Sequence, residues 1–146
     1  MDGDAIILTP VYAGAIVPPG DLGYPRVFSE LAPITIQREV NINANRSRLQ
    51  ELYRTRLALK YPWVFLVDSD VVVSHGQLAR LAEAWEPGRT PCLRTKALET
   101  SHVVCACCFM RGSDYLKVNY LERPNECQCL KLPGTFYVDG ERGIEV

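Results

Sequence analysis

The hydrophobic pattern centres on Trp63-Val64-Phe65-Leu66-Val67, which runs straight into Asp68-Ser69-Asp70 and then into Val71-Val72-Val73. A continuous apolar run rich in β-branched and aromatic residues reads as a strand buried on both faces, the kind found in a parallel sheet covered by helices. Other elements follow from the same patterning. Ala5 to Tyr12 predicts a first strand, which Pro10 interrupts because it cannot donate to a ladder. Arg26 to Leu31 predicts a short helix stopped before Pro33, and the alternation from Ile34 to Val40 a second strand. Leu49, Leu52, Tyr53 and Leu57 recur at helical spacing within a helix from Ala44 to Lys60, with Asn43 or Asn45 as its N-cap and Pro62 as its stop. Ser74 caps another helix through Leu78, Leu81, Ala82 and Trp85, ended by Pro87-Gly88. Pro91 to Leu98 predicts a strand at a sheet edge, and His102 to Met110 a buried one. Ser113 or Asp114 opens a short helix through Tyr115 and Val118. Residues 119–126 read as a polar loop, Cys127 to Leu132 as a short helix or turn, and Thr135 to Asp139 as the last strand. Strands alternating with helices indicate one α/β layered domain over residues 1–146, with a mostly parallel central sheet.

Composition narrows the function classes. The 146 residues suffice for one domain with a core, and 47% apolar with 23% charged residues is ordinary for a soluble globular protein. Sixteen basic against seventeen acidic residues, a net charge of -1, argue against a general nucleic-acid binder. No apolar run is long enough for a membrane span, and Met1-Asp2-Gly3-Asp4 is unlike the basic start of a signal peptide, so a cytoplasmic protein is expected. Cys105, Cys107, Cys108, Cys127 and Cys129 fall close together. They are either small buried hydrophobes or ligands to a structural zinc, although the spacing is poor for zinc and Cys107 and Cys108 point to opposite faces of a strand.

Candidate chemistry concentrates at the central strand. Two carboxylates at the carboxyl end of a buried strand lie where open α/β sheets place ligands, and two close anions call for a positive partner. A hard divalent cation takes oxygen ligands and shares them with a phosphate, so Asp68 and Asp70 read as a metal–phosphate site. The loop after the first strand is the expected nucleotide site, with Tyr12 either stacked on a base or covering the sheet edge, and Pro10 and Val11 offering backbone to the base edge. The Gly- and Pro-rich residues 13–25 form a loop beside it. Arg46 and Arg48, placed in the first turn of their helix, gain nothing from the helix dipole there, and a diphosphate would account for at least one of them. Arg54, Arg56 and His75 read as surface residues.

Taken in order, these segments resemble the nucleotide-sugar-dependent glycosyltransferases of the GT-A fold, family-2-like, with their Asp-any-Asp motif. Thr9-Pro10-Val11-Tyr12 resembles the opening strand and nucleotide loop, and Asn45-Arg46-Ser47-Arg48 the helix before the motif strand. Phe65-Leu66-Val67-Asp68-Ser69-Asp70-Val71 resembles the motif itself. Cys107 to Ser113 is similar to the acceptor-side strand, and Glu126 to Asp139 to the late block of an acidic pair, helix, glycine and final strand. The resemblance implies a Rossmann-like sandwich and a hexosyltransferase that uses Mn²⁺ or Mg²⁺, a UDP- or GDP-type sugar donor and an unidentified acceptor.

It also implies roles. Asp70 would bind the metal directly, and Asp68 through water or by holding the ribose. Arg46 would assist the diphosphate, and Glu126 would act as the catalytic base of an inverting reaction, with Asp114 and Asp139 behind it. His102 faces either the acceptor pocket or nothing but the strand end. The chain departs from the family in having Glu126-Cys127 where Glu-Asp is common, and no histidine after the final strand to complete a metal shell. It is also short, which implies minimal acceptor elements or a trimmed core. Three other readings compete: a catalytically reduced nucleotide- and metal-binding module of the same fold, a haloacid-dehalogenase-type phosphotransferase, and a purely structural loop-capping role for Asp68 and Asp70. The phosphotransferase would carry its motif on the first strand, whereas here it is mid-chain.

Overall fold

A computed structural model describes residues 2–12, 22–31, 38–69, 71–96, 103–123, 128, 131–138 and 144–145. Strand β1 (Ala5–Tyr12) is followed by β2 (Arg26–Leu31), helix α1 (Arg38–Leu52) and a π-helical turn, Tyr53–Leu57. Then come β3 (Trp63–Val67), α2 (His75–Ala84), β4 (Thr90–Lys96), β5 (Val103–Arg111) and α3 (Gly112–Tyr115). Short strands β6 (Thr135–Tyr137) and β7 (Ile144–Glu145) complete the described elements.

Six strands lie in the order β2-β1-β3-β5-β4-β6, and β7 also pairs with β4. β1 is parallel to both β2 and β3, and β4 is parallel to β6 and β7, while β5 runs antiparallel to β3 and β4. The sheet is thus mixed, with parallel pairs in the majority. Side-chain alternation splits its core in two. Ala5, Ile7, Trp63, Phe65, Val67, Leu93, Cys107 and Phe109 point to one face, where Leu78 and Leu81 of α2 cover them. Ile6, Leu8, Val64, Leu66, Cys108 and Met110 point to the other, under Leu49 of α1, Tyr53, Tyr115 and Tyr120. All five residues of β3 are buried. Each such aliphatic or aromatic side chain contributes about 1.5–3 kcal/mol when removed from water.

The expected β3, α2 and β5 are present, and Ser74 closes a capping box: its Oγ accepts from Gln77 N–H and its own N–H donates to Gln77 Oε1. Other expectations are corrected. Arg26–Leu31 is a strand, because six residues containing Val27 and Phe28 gain more from parallel pairing along β1 than from a helix too short to nucleate. The strand expected over Ile34–Val40 gives way at Arg38–Val40 to the first turn of α1, and residues 32–37 lie outside the described ones. α1 therefore starts six positions before Ala44. Its buried stripe runs through Ile42, Leu49 and Tyr53, with Arg46 at the intervening position, and that polar interruption hid its continuity. Asn43 and Asn45 are buried interior residues rather than caps, and Arg46 and Arg48 are mid-helix. The dipole argument for the two arginines accordingly falls away. β4 is paired on both sides and so is not an edge strand, and β7 follows β6. α3 begins at Gly112, with Arg111 as its cap residue in place of Ser113 or Asp114.

Gly112 is fixed by close approach. Its N–H donates to Pro62 O at 2.7 Å, and a Cβ would overlap the hydroxyl of Tyr53, itself tied to Tyr61 O at 2.6 Å. Because the phenol is buried and anchored, it cannot swing aside. Gly112→Ala is expected to destabilise the fold by about 1–3 kcal/mol, the range for overpacking a filled core, read as a lower midpoint in urea denaturation with an unchanged slope.

Candidate functional site

The sheet order decides where a ligand can sit. From β1 the chain moves to β2 on one side, then crosses through α1 to β3 on the other, so the carboxyl ends of β1 and β3 flank a topological switch point. Leu8 and Leu66 are partners in the β1–β3 register, and two residues beyond each lie Pro10 and Asp68. Val71 N–H donates to Asp68 O at 3.3 Å, turning the chain directly after β3. Pro10 is buried, Val11 half-buried, and Tyr12 ends β1 with its backbone in register with Leu31.

From the helix layer, Arg46 reaches the same place. Its Nη2 lies 3.7 Å from Asp68 Oδ1, with side-chain exposures of 14% and 29%. That distance is an ion pair rather than a hydrogen bond. Pro10, Arg46 and Asp68 share one small cavity, of about 10 Å³, with Tyr115, Tyr120 and Gln128. Such a volume corresponds to about one water. Three residues singled out from three separate stretches of sequence are thus brought together. Asp70 and Glu126, and behind them His102 and Asp139, lie outside the described residues. Asp114 is half-buried in α3, Arg48 and Arg56 are exposed, and Arg54 is exposed and paired with Glu51. His75, exposed as expected, sets Nδ1 2.9 Å from Leu22 O.

The structure adds residues that the sequence reading missed. Tyr120, in a stretch expected to be polar loop, is fully buried and donates its hydroxyl to Gln128 Oε1 at 3.1 Å. Burial pushes this phenol well up; the Arg46 charge opposes that shift, and Cys108 and Asp68 add to it. A phenol so placed holds its proton more tightly than a free one and donates it in a hydrogen bond to Gln128. Tyr115 is likewise raised, chiefly by burial. Gln50, one turn beyond Arg46 on α1, donates Nε2 to both Tyr115 O and Val118 O at 2.7 Å. These bonds tether the arginine-bearing helix to the segment that walls the cavity. The available signal was Tyr120 in the largely polar stretch 119–126, because a large aromatic ring there needs somewhere to be buried.

Among the described residues no group of three His, Cys, Asp or Glu side chains converges to hold a metal. Cys107 and Cys108 are buried on opposite faces of the sheet and cannot share one zinc, while Cys127 and Cys129 lie outside the described residues. A Mg²⁺-type ion is different: it commonly takes one or two carboxylates together with substrate phosphates and waters. Asp68, a partly exposed hard oxygen donor at a strand end, fits that requirement. A second concavity, of about 420 Å³, lies at the opposite end of the sheet between Asp2, Pro62, Trp63, Arg111 and Ser113, and is lined by none of the candidate catalytic, nucleotide or metal residues. No described helix is long and apolar enough to cross a membrane.

No protein-family model and no curated protein matches the chain. Among solved structures it is similar to a glycosyltransferase involved in the glycosylation of the major capsid of PBCV-1, with a TM-score of 0.51 at 11% identity. The alignment covers 77% of this chain and 62% of that one, so the chain spans somewhat under two thirds of its neighbour's length. At that identity the likeness shows the fold: a mixed α/β, glycosyltransferase-like Rossmann sandwich with its sheet flanked by helices.

The buried phenols predict an alkaline limit to stability. Tyr53, Tyr115 and Tyr120 are all raised by burial, so in the folded state they keep protons that the unfolded chain releases near pH 10. Their stabilisation is fully present below that value and is lost as pH rises above it, by up to about 1.4 kcal/mol per pH unit for each phenol. In denaturant titrations from pH 8 to 11.5, Tyr120→Phe should be less stable at pH 8 yet lose stability less steeply above pH 10. A parallel decline would show that Tyr120 ionises normally in the folded protein.

Proposed function

We propose that this chain is a glycosyltransferase moving a sugar from a nucleoside-diphosphate sugar, of UDP or GDP type, to a hydroxyl acceptor, with Mn²⁺ or Mg²⁺ bound at the carboxyl end of β3. The observation that carries the reading is the convergence of Pro10, Arg46 and Asp68 on one cavity at the β1–β3 switch point, within a fold similar to that of a glycosyltransferase.

The chemistry follows from what must change charge. The acceptor oxygen forms a bond to the anomeric carbon as the bond from that carbon to the diphosphate oxygen breaks, and negative charge grows on the departing diphosphate. Asp70 would hold a divalent cation, with Asp68 engaging it through water or holding the ribose, and the cation would supply Lewis-acid stabilisation of that charge. Arg46 adds a positive group from α1, a helix that Gln50 ties to Tyr115 and Val118. Pro10 and Val11 present the end of β1 to the base, with Tyr12 at its close. In an inverting reaction Glu126 takes the acceptor hydroxyl's proton.

Calorimetric titration of UDP and then GDP, with and without Mn²⁺, tests this on the native protein and on Asp68→Ala and Asp70→Ala. One nucleotide should bind in a metal-dependent way, and each variant should lose at least about tenfold in affinity, equivalent to about 1.4 kcal/mol. Slow Mn²⁺-dependent hydrolysis of the matching nucleotide sugar would establish turnover. Binding without any turnover would instead identify a nucleotide-binding module, and no binding of either nucleotide by folded protein would remove the transferase assignment.

A further inference from the structure

Under the proposed function Arg46 and Asp68 have separate tasks, one on the diphosphate and one at the metal. In the structure they are engaged with each other, at 3.7 Å, in a cavity of only about 10 Å³. The cavity they share has room for about one water, far less than a nucleoside diphosphate fills. The pair is also electrostatically exclusive. A guanidinium beside Asp68 already offsets the negative charge that would attract a dication, and two cations on one carboxylate repel each other. Both side chains are partly shielded, at 14% and 29% exposure, so solvent screens that competition only in part.

Resting on the proposed function, we infer that Arg46 is the resident counter-ion of Asp68 and that an incoming divalent cation displaces it. The released guanidinium then becomes available to the diphosphate, so the cation and the nucleotide bind cooperatively through one side chain. Only the far end of Arg46 has to move. Its backbone sits mid-way along α1, and Gln50, one turn on, is bonded to Tyr115 and Val118. The neighbouring Tyr120 hydroxyl donates to Gln128 Oε1 at 3.1 Å, so its hydrogen is already engaged within the cavity lining. Reciprocity follows from linkage: if the cation strengthens nucleotide binding, the nucleotide must strengthen cation binding by the same factor.

The test is calorimetric titration of MnCl₂ alone, then of UDP and GDP at saturating Mn²⁺, on native protein, Arg46→Gln and Arg46→Lys, each checked for folding by circular dichroism. Removing the charge should move the two affinities in opposite directions. Arg46→Gln is expected to bind Mn²⁺ alone roughly three- to tenfold more tightly and the nucleoside diphosphate roughly tenfold more weakly. Arg46→Lys, which keeps the charge, should show no gain in Mn²⁺ affinity, separating a charge effect from a gain of space. Unchanged or weaker Mn²⁺ binding by Arg46→Gln, while native protein still binds nucleotide with Mn²⁺, overturns the exchange and leaves the proposed function standing. Failure of folded native protein to bind Mn²⁺ or either nucleotide overturns both.

Discussion

Burial of β3 on both faces is the constraint from which the rest of the arrangement follows. A strand whose five residues are all buried cannot leave either side of its sheet to water, so each face requires its own covering layer. α2 supplies one through Leu78 and Leu81. On the other face α1, Tyr53 and the tyrosines after β5 supply the second. With the strand walled in, its carboxyl end is the first point where the chain can carry a charge, and that is where Asp68 stands. The parallel register with β1 brings Pro10 level with it. Position in the fold, more than the triplet itself, makes Asp68 a candidate for chemistry.

The helix layer over the second face is not a conventional apolar one. α1 places Asn43, Asn45 and Gln50 in buried positions and Arg46 in a nearly buried one, and burying such groups is unfavourable unless each has a polar partner. Gln50 meets that condition with two backbone carbonyls, and Arg46 does so with Asp68. A helix selected for packing alone would carry leucines there. The polar stripe costs packing and provides a charged group aimed at a strand end, the kind of local inconsistency that functional sites show. The same stripe explains the misplaced start of the helix, because a core-facing arginine breaks the apolar periodicity by which helices are recognised.

How much was legible in the sequence follows from which interactions are local. β3, α2 with its Ser74–Gln77 box and β5 were legible because their signals lie within a few residues: an apolar run, a cap, a second apolar run. β2 was not, since Arg26–Leu31 is a strand only by virtue of β1 alongside it, and nothing within six residues distinguishes it from a helical turn. The carboxylate after β3, the helix arginine and the end of β1 could each be picked out separately as candidates. Their meeting in one cavity depended on register and topology. Tyr120 and Gln128 stayed hidden because a buried phenol and its amide partner are joined only through the third dimension.

The two ends of β3 divide the labour of the fold. At its amino end Trp63 stacks on Phe109 with ring centroids 5.1 Å apart and meets Trp85 edge-on at 4.9 Å, while its indole N–H donates to Asp2 O. Arg111 lies over both indoles, and Gly112 closes against Pro62 and Tyr53. These contacts are mostly apolar or cation–π, and they set the rings in stacked and edge-on geometry beside the larger concavity lined by Trp63, Arg111 and Gly112. At the carboxyl end the contacts are a loose ion pair, a buried phenol and an amide around a cavity of about one water. Ligand exchange requires groups that can change partners without unpacking the core. A guanidinium on a long side chain beside a partly exposed carboxylate can do so, whereas a stacked indole cannot. The two ends of one strand thus present different surroundings, aromatic and cation–π contacts at one and polar side chains at the other. The sheet holds the strand end in place, and Arg46 of α1, Asp68 after β3 and Tyr120 after β5 are brought to one cavity there from separate stretches of the chain.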